Sequence, residues 1–120
     1  MGLILDTSVL IEWARGRADL TTLFQRYASE EVGISAVTVA ELLLGAERAT
    51  NPAMRMRRGA YAEWIIQTIP VIPFDVREAR RHAELRAYLT TNGTMIGAHE
   101  LQIAATALAG GHAVVTRDVT

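Results

Sequence analysis

Four acidic residues of this sequence stand beside apolar runs, where a bare carboxylate is costly unless it is paired or bound to a cation. Asp6 follows Leu3-Ile4-Leu5, Glu41 lies within Val37–Leu44, Glu100 precedes Leu101–Leu108, and Asp118 follows Ala113–Thr116. Asp6 comes directly after a predicted strand, and Asp118 follows another in Thr116-Arg117-Asp118. Glu41 lies about one turn into the helix after the second strand, and Glu100 opens the helix before the last one. All four can therefore reach the carboxyl end of a parallel sheet, where open α/β sheets bind ligands. Gathered carboxylates repel one another, and a divalent cation relieves that repulsion. The donors are all oxygen and the chain has no Cys, which favours Mg²⁺ or Mn²⁺ over zinc. Such an ion activates water and stabilises charge on phosphate oxygens, so phosphodiester cleavage needs no protein nucleophile.

Each carboxylate also has a plain structural reading. Asp6 can cap the first helix, Glu41 can form a capping box with Thr38, Glu100 can sit favourably in a first turn, and Asp118 can be a turn residue. His99, beside Glu100, reads as a surface or capping group.

The elements that must position these residues follow from apolar patterning. Strands are predicted at Leu3–Leu5, Val32–Ser35, Val71–Ile72 and Ala113–Thr116. A helical turn follows Ser8, and a helix capped by Asp19 runs from Leu20 to about Ala28, with Leu20, Leu23, Phe24 and Tyr27 on one face. Further helices cover Val37–Ala49, Ala53–Thr68, a segment opened by the capping-box spacing Asp75-Val76-Arg77-Glu78, and His99–Ala109 before Gly110-Gly111. Short apolar strands alternating with helices predict an α/β fold with a parallel central sheet flanked by helices. Length fits one domain, 1–120. The sequence ends two residues after Asp118, so this unit could lack a last C-terminal strand.

The formal net charge is −1, so nucleic-acid binding would need a local basic patch. Every basic residue is Arg. Arg55, Arg57 and Arg58, with Arg77, Arg80 and Arg81, are candidate phosphate contacts, although interleaved Glu78 and Glu84 suit a solvated helix face. Trp13, Trp64 and the Leu10/Ile11 region read as core or partner groove. The absence of Lys argues against a phosphorelay receiver or a haloacid-dehalogenase-type phosphatase. No G-x-G-x-x-G, P-loop or G-x-S-x-G occurs. No stretch has signal-peptide or membrane-spanning character, so a cytoplasmic protein is the expectation. The apolar content of Val37–Leu44 and Trp64–Ile69 leads us to expect a homodimer and a separate hydrophobic groove for a partner helix.

The segment Leu3-Ile4-Leu5-Asp6-Thr7-Ser8-Val9-Leu10-Ile11 resembles the opening strand of PIN domains. Ser35-Ala36-Val37-Thr38-Val39-Ala40-Glu41-Leu42 resembles the second acidic motif of that family. Ile96-Gly97-Ala98-His99-Glu100-Leu101 resembles the third, and Val114-Val115-Thr116-Arg117-Asp118 the fourth. The motifs occur in family order along the whole chain, and the short length resembles VapC-type toxins. The resemblance implies a PIN-like three-layer fold and a Mg²⁺- or Mn²⁺-dependent endoribonuclease acting on structured RNA. It further implies a homodimer and a cognate antitoxin that blocks the site. Asp6, Glu41, Glu100 and Asp118 would be the catalytic set, with metal on Asp6, Glu100 and Asp118. Thr7, Ser8 and Thr116 would be hydroxyls that orient the carboxylates or metal waters. One position departs from the family: Glu100 stands where Asp is usual, and its extra methylene displaces the carboxylate. A PIN fold that binds RNA or a partner without efficient cleavage is the alternative this departure sustains.

Overall fold

The computed structural model describes residues 2–16 and 19–116. In chain order the elements are β1 (Leu3–Leu5), α1 (Thr7–Ala14), α2 (Leu20–Arg26), β2 (Val32–Ser35), α3 (Ala36–Glu47), α4 (Pro52–Thr68), β3 (Val71–Ile72), α5 (Val76–Thr91), α6 (Ala98–Gly110) and β4 (Ala113–Val115). The strands pair in parallel in the order β3-β2-β1-β4. The chain builds the sheet in one direction from β1 to β3, then places β4 on the other side of β1. That reversal makes the β1/β4 boundary the topological switch point, where the crevice for a ligand opens.

Successive side chains of β1 point to opposite faces, so a fully apolar strand needs cover on both. Leu5 joins Val9, Leu10, Ile34, Ile65 and Ile69 in one buried cluster beneath α1 and α4, and Trp13, Leu23 and Phe24 pack against it. Ile4 turns the other way, onto Ile103 and Ala107 of α6. The sheet is thus the middle of three layers.

Local signals set most boundaries. Asp19 accepts from the backbone N–H groups of Thr21 and Thr22 at 3.0 and 3.3 Å and caps α2. Asn51 does the same for α4, with Pro52 in its first turn. Asp75 and Glu78 form the expected reciprocal box at the start of α5. Gly111, at φ 69°, ends α6 in the left-handed conformation. Among the described residues no helix is long and apolar enough to cross a membrane.

Candidate active site

Asp6 is the residue between β1 and α1. Its N–H donates to the Val115 carbonyl at 2.9 Å, which fixes it against the end of β4. It occupies the N-cap position of α1, yet its side chain makes no capping hydrogen bond. The carboxylate instead turns toward the switch point. Its Oδ2 accepts from Ser8 Oγ at 2.6 Å and from Thr116 Oγ1 at 3.3 Å. Thr116 is in place because β4 pairs with β1 through Leu5 and Val115, which puts the next residues of both strands side by side. No described partner occupies Asp6 Oδ1.

Glu41 lies on α3, and the capping box with Thr38 is not what it forms. Ser35, fully buried, takes the cap and accepts from the Val37 N–H at 3.1 Å. Glu41 is therefore too far along α3 to reach the helix start. Its Oε1 accepts from Thr7 Oγ1 at 2.7 Å, and its Oε2 lies 3.0 Å from His99 Nδ1. Thr7 Oγ1 also lies 3.1 Å from Thr38 Oγ1. A carboxylate gripped from both sides loses rotational freedom, as expected of a group that must meet a ligand in one geometry.

The expected hydroxyls divide their work. Ser8 and Thr116 converge on Asp6, whereas Thr7 serves Glu41. His99, which its sequence context places at a surface or cap, bridges the first turn of α6 to Glu41. The only hint of this in the sequence is its position one residue before Glu100. Glu100 itself is exposed, and its carboxyl folds back toward the start of α6: a methyl placed on Gly97 would lie 3.7 Å from Glu100 Cδ. Among the described residues it makes no hydrogen bond or ion pair. Asp118 lies outside the described residues.

Among the described residues, no three Asp, Glu or His side chains stand close enough together to hold an ion unaided. The donors are nonetheless of the right kind for a hard cation. Among the described residues, Asp6 keeps one oxygen open, Glu100 has no partner, and the neighbouring groups are hydroxyls and carboxylates with no sulfur.

The arginines separate into engaged and open groups. Arg55 pairs with Glu47 at 2.8 Å, Arg77 with Glu78 at 3.2 Å and Arg81 with Glu84 at 2.9 Å. Arg15, Arg57 and Arg80 have no described partner. Trp13, Tyr61 and Trp64 form a ring cluster, with Trp13 and Trp64 centroids 5.0 Å apart. Tyr61 donates its hydroxyl to the Leu10 carbonyl at 2.6 Å. Burial pushes that phenol up to about 12, so it stays a donor.

Comparison with known proteins bears on the family of the chain. The PIN domain family pattern matches residues 3–119. Ribonuclease VapC1 of Rickettsia felis is 33% identical over 119 residues, covering 99% of this chain and 87% of that protein. VapBC-5 of Mycobacterium tuberculosis, a member of the VapBC family of toxin-antitoxin systems, superposes with a TM-score of 0.76 at 29% identity, over 99% of this chain and 87% of that one. VapBC2 of Rickettsia felis, bound to a DNA fragment from its promoter, superposes with a TM-score of 0.88 over 100% of this chain and 90% of that one. At 22% identity that likeness bears on the fold. A family pattern spanning the sheet, both anchored carboxylates and the last strand, with a relative of this identity over nearly the whole length, places the chain in the PIN domain family, among the VapC ribonucleases.

Proposed function

We propose that this chain is a metal-dependent endoribonuclease of the toxin type, held in check by a cognate antitoxin protein. The observation that carries the proposal is the pair of anchored carboxylates at the switch point. Asp6 is held by Ser8 and Thr116, although by position it would be an ordinary cap of α1, and Glu41 is held by Thr7 and His99. The ribonuclease and toxin-antitoxin names of the relatives support the same reading.

Asp6, Glu100 and Asp118 would hold Mg²⁺ or Mn²⁺, with Glu41 beside them. When bound, the ion polarises the scissile phosphate and acidifies water. The protein's own part is orientation. Ser8 and Thr116 fix the Asp6 rotamer, while Thr7 and His99 aim Glu41 at the attacking water, whose proton it accepts. The water oxygen bonds to phosphorus as the bond to one ribose oxygen breaks. A homodimer belongs to the proposal, because Leu43 and Leu44 on α3 and Trp64 on α4 are exposed. Action in the cytoplasm belongs to it as well.

A second reading, RNA or partner binding without efficient cleavage, is favoured by Glu100 alone: its longer side chain folds back on its own helix. Incubation of a structured RNA with the protein, with and without Mg²⁺, separates the two. Cleavage that EDTA stops and Asp6→Asn abolishes supports the nuclease. Binding of RNA without cleavage, with or without Mg²⁺, supports the alternative.

A further inference from the structure

A groove of about 530 Å³ runs from Glu41 along the seam between α1, α3 and α4. Its floor is apolar, with Ile11, Leu42 and Met54, and Arg15, Arg57 and Arg58 stand around it. Charge on this wall is not neutralised locally. Arg15 and Arg57 have no partner among the described residues, and Arg58 gives one N–H to the Gly45 carbonyl at 3.2 Å. Arg55, one helical step away, is already paired with Glu47. The chain as a whole is nearly neutral, so three arginines facing one carboxylate make this a local basic feature.

We propose that this groove is the track for unpaired RNA beside the cut, with phosphates on Arg15, Arg57 and Arg58 and bases against the apolar floor. The proposal rests on the ribonuclease reading of the same site. Three observations select this occupant. Glu41, a carboxylate of the candidate centre, lines the groove, so a strand lying in it passes beside that centre. Its cationic rim complements a polyanion. Its floor suits flat apolar base faces, which a duplex hides and an unpaired segment exposes. Arg suits the task because its planar fork matches a phosphate and stays charged at any working pH.

The test is fluorescence anisotropy with a labelled, unstructured RNA of roughly 12 nucleotides, a length within known single-strand site sizes. The Asp6→Asn protein is used throughout so that nothing is cut, and binding is measured across a salt series. Arg15→Ala and Arg57→Ala should each weaken binding several-fold. Each should lower the slope of log K against log salt by about 0.7, the value for one lost contact on a single strand. Arg55→Ala should leave slope and affinity unchanged. The arginines replaced are exposed, and matching thermal melts confirm folding. An unchanged slope in the Arg15→Ala/Arg57→Ala double variant overturns the proposal, as does an equal loss in Arg55→Ala. If that double variant binds RNA normally but no longer retains a co-expressed protein partner, the groove belongs to the partner and the proposal falls. Cleavage by the wild type is scored separately, so a nuclease with an unaffected slope loses only this inference. A basic groove on a protein that cuts nothing loses only the enzymatic reading.

Discussion

Replacing Thr7 by Val keeps the shape of a buried side chain, 7% exposed, and removes one hydroxyl. That hydroxyl donates to Glu41 Oε1 at 2.7 Å and touches Thr38 Oγ1. A hydrogen bond to a charged acceptor contributes about 1.5–3 kcal/mol. Glu41 is partly exposed and can recover water, so the loss should be about 1–2 kcal/mol. For a domain of this size that lowers Tm by roughly 3–10 °C. Thr7→Ser keeps the hydroxyl and gives up one buried methyl, about 1 kcal/mol. The two variants therefore cost similar stability and differ in one bond. Loss of a group that orients a reacting side chain costs roughly 10- to 100-fold in activity. Thr7→Val should fall by that factor in kcat with little change in KM, and Thr7→Ser should stay close to the wild type. Thermal melts and initial rates on one RNA substrate, below each variant's Tm, measure both quantities. A Thr7→Val protein with the expected drop in Tm and an unaltered kcat would show the hydroxyl to be purely structural and its orienting role absent.

Glu100→Asp shortens the side chain by one methylene. It should raise the cleavage rate in Mg²⁺ with little change in stability, and Mn²⁺ should narrow the difference; equal Mg²⁺ rates would show Glu100 to be an adequate ligand or none. His99→Ala should lower kcat and His99→Asn should recover part of the loss, since the Asn amide can donate near the position of Nδ1; rates for the two variants at saturating RNA decide this. Glu78 is buried, and the Asp75 N–H, helped by Arg77, holds its carboxyl below the usual range. A depressed folded value stabilises the protein above the unfolded value and loses that effect as pH falls. The Tm advantage of the wild type over Glu78→Gln should thus be full at pH 7 and shrink below about pH 4.3, as followed by thermal melts across pH.

Much of the frame is legible because its causes are local. The Asp19 cap, the Asp75–Glu78 box and the left-handed Gly111 each involve residues within a turn of one another. Their side chains reveal them without the fold. The apolar strands are equally legible, since Leu3-Ile4-Leu5 is an unbroken apolar run. The site was legible in part. Asp6 and Glu41 stand out by residue type, but what each carboxylate does depends on distant chain. Thr38 and Glu41 have capping-box spacing, yet Ser35 starts the helix earlier and frees Glu41 for Thr7 and His99. By sequence His99 reads as a surface or capping group, because nothing near it shows that α6 docks its first turn beside α3. The arginines could not be ranked from sequence either, since only the fold shows that Arg55 is engaged by Glu47 while Arg57 stands open on the groove.

Hydrolysis by metal-activated water at the proposed Asp6 centre makes no use of the ribose 2′-hydroxyl. The most direct measurement is cleavage of an RNA carrying a single 2′-deoxy nucleotide at the mapped cut, by wild type and Asp6→Asn, in Mg²⁺ and in EDTA. Wild type in Mg²⁺ should cut the deoxy-substituted strand at the same bond and leave no cyclic phosphate. Neither EDTA-treated protein nor Asp6→Asn should cut it. Cleavage that the 2′-deoxy substitution blocks, or that persists in EDTA or in Asp6→Asn, would contradict that chemistry.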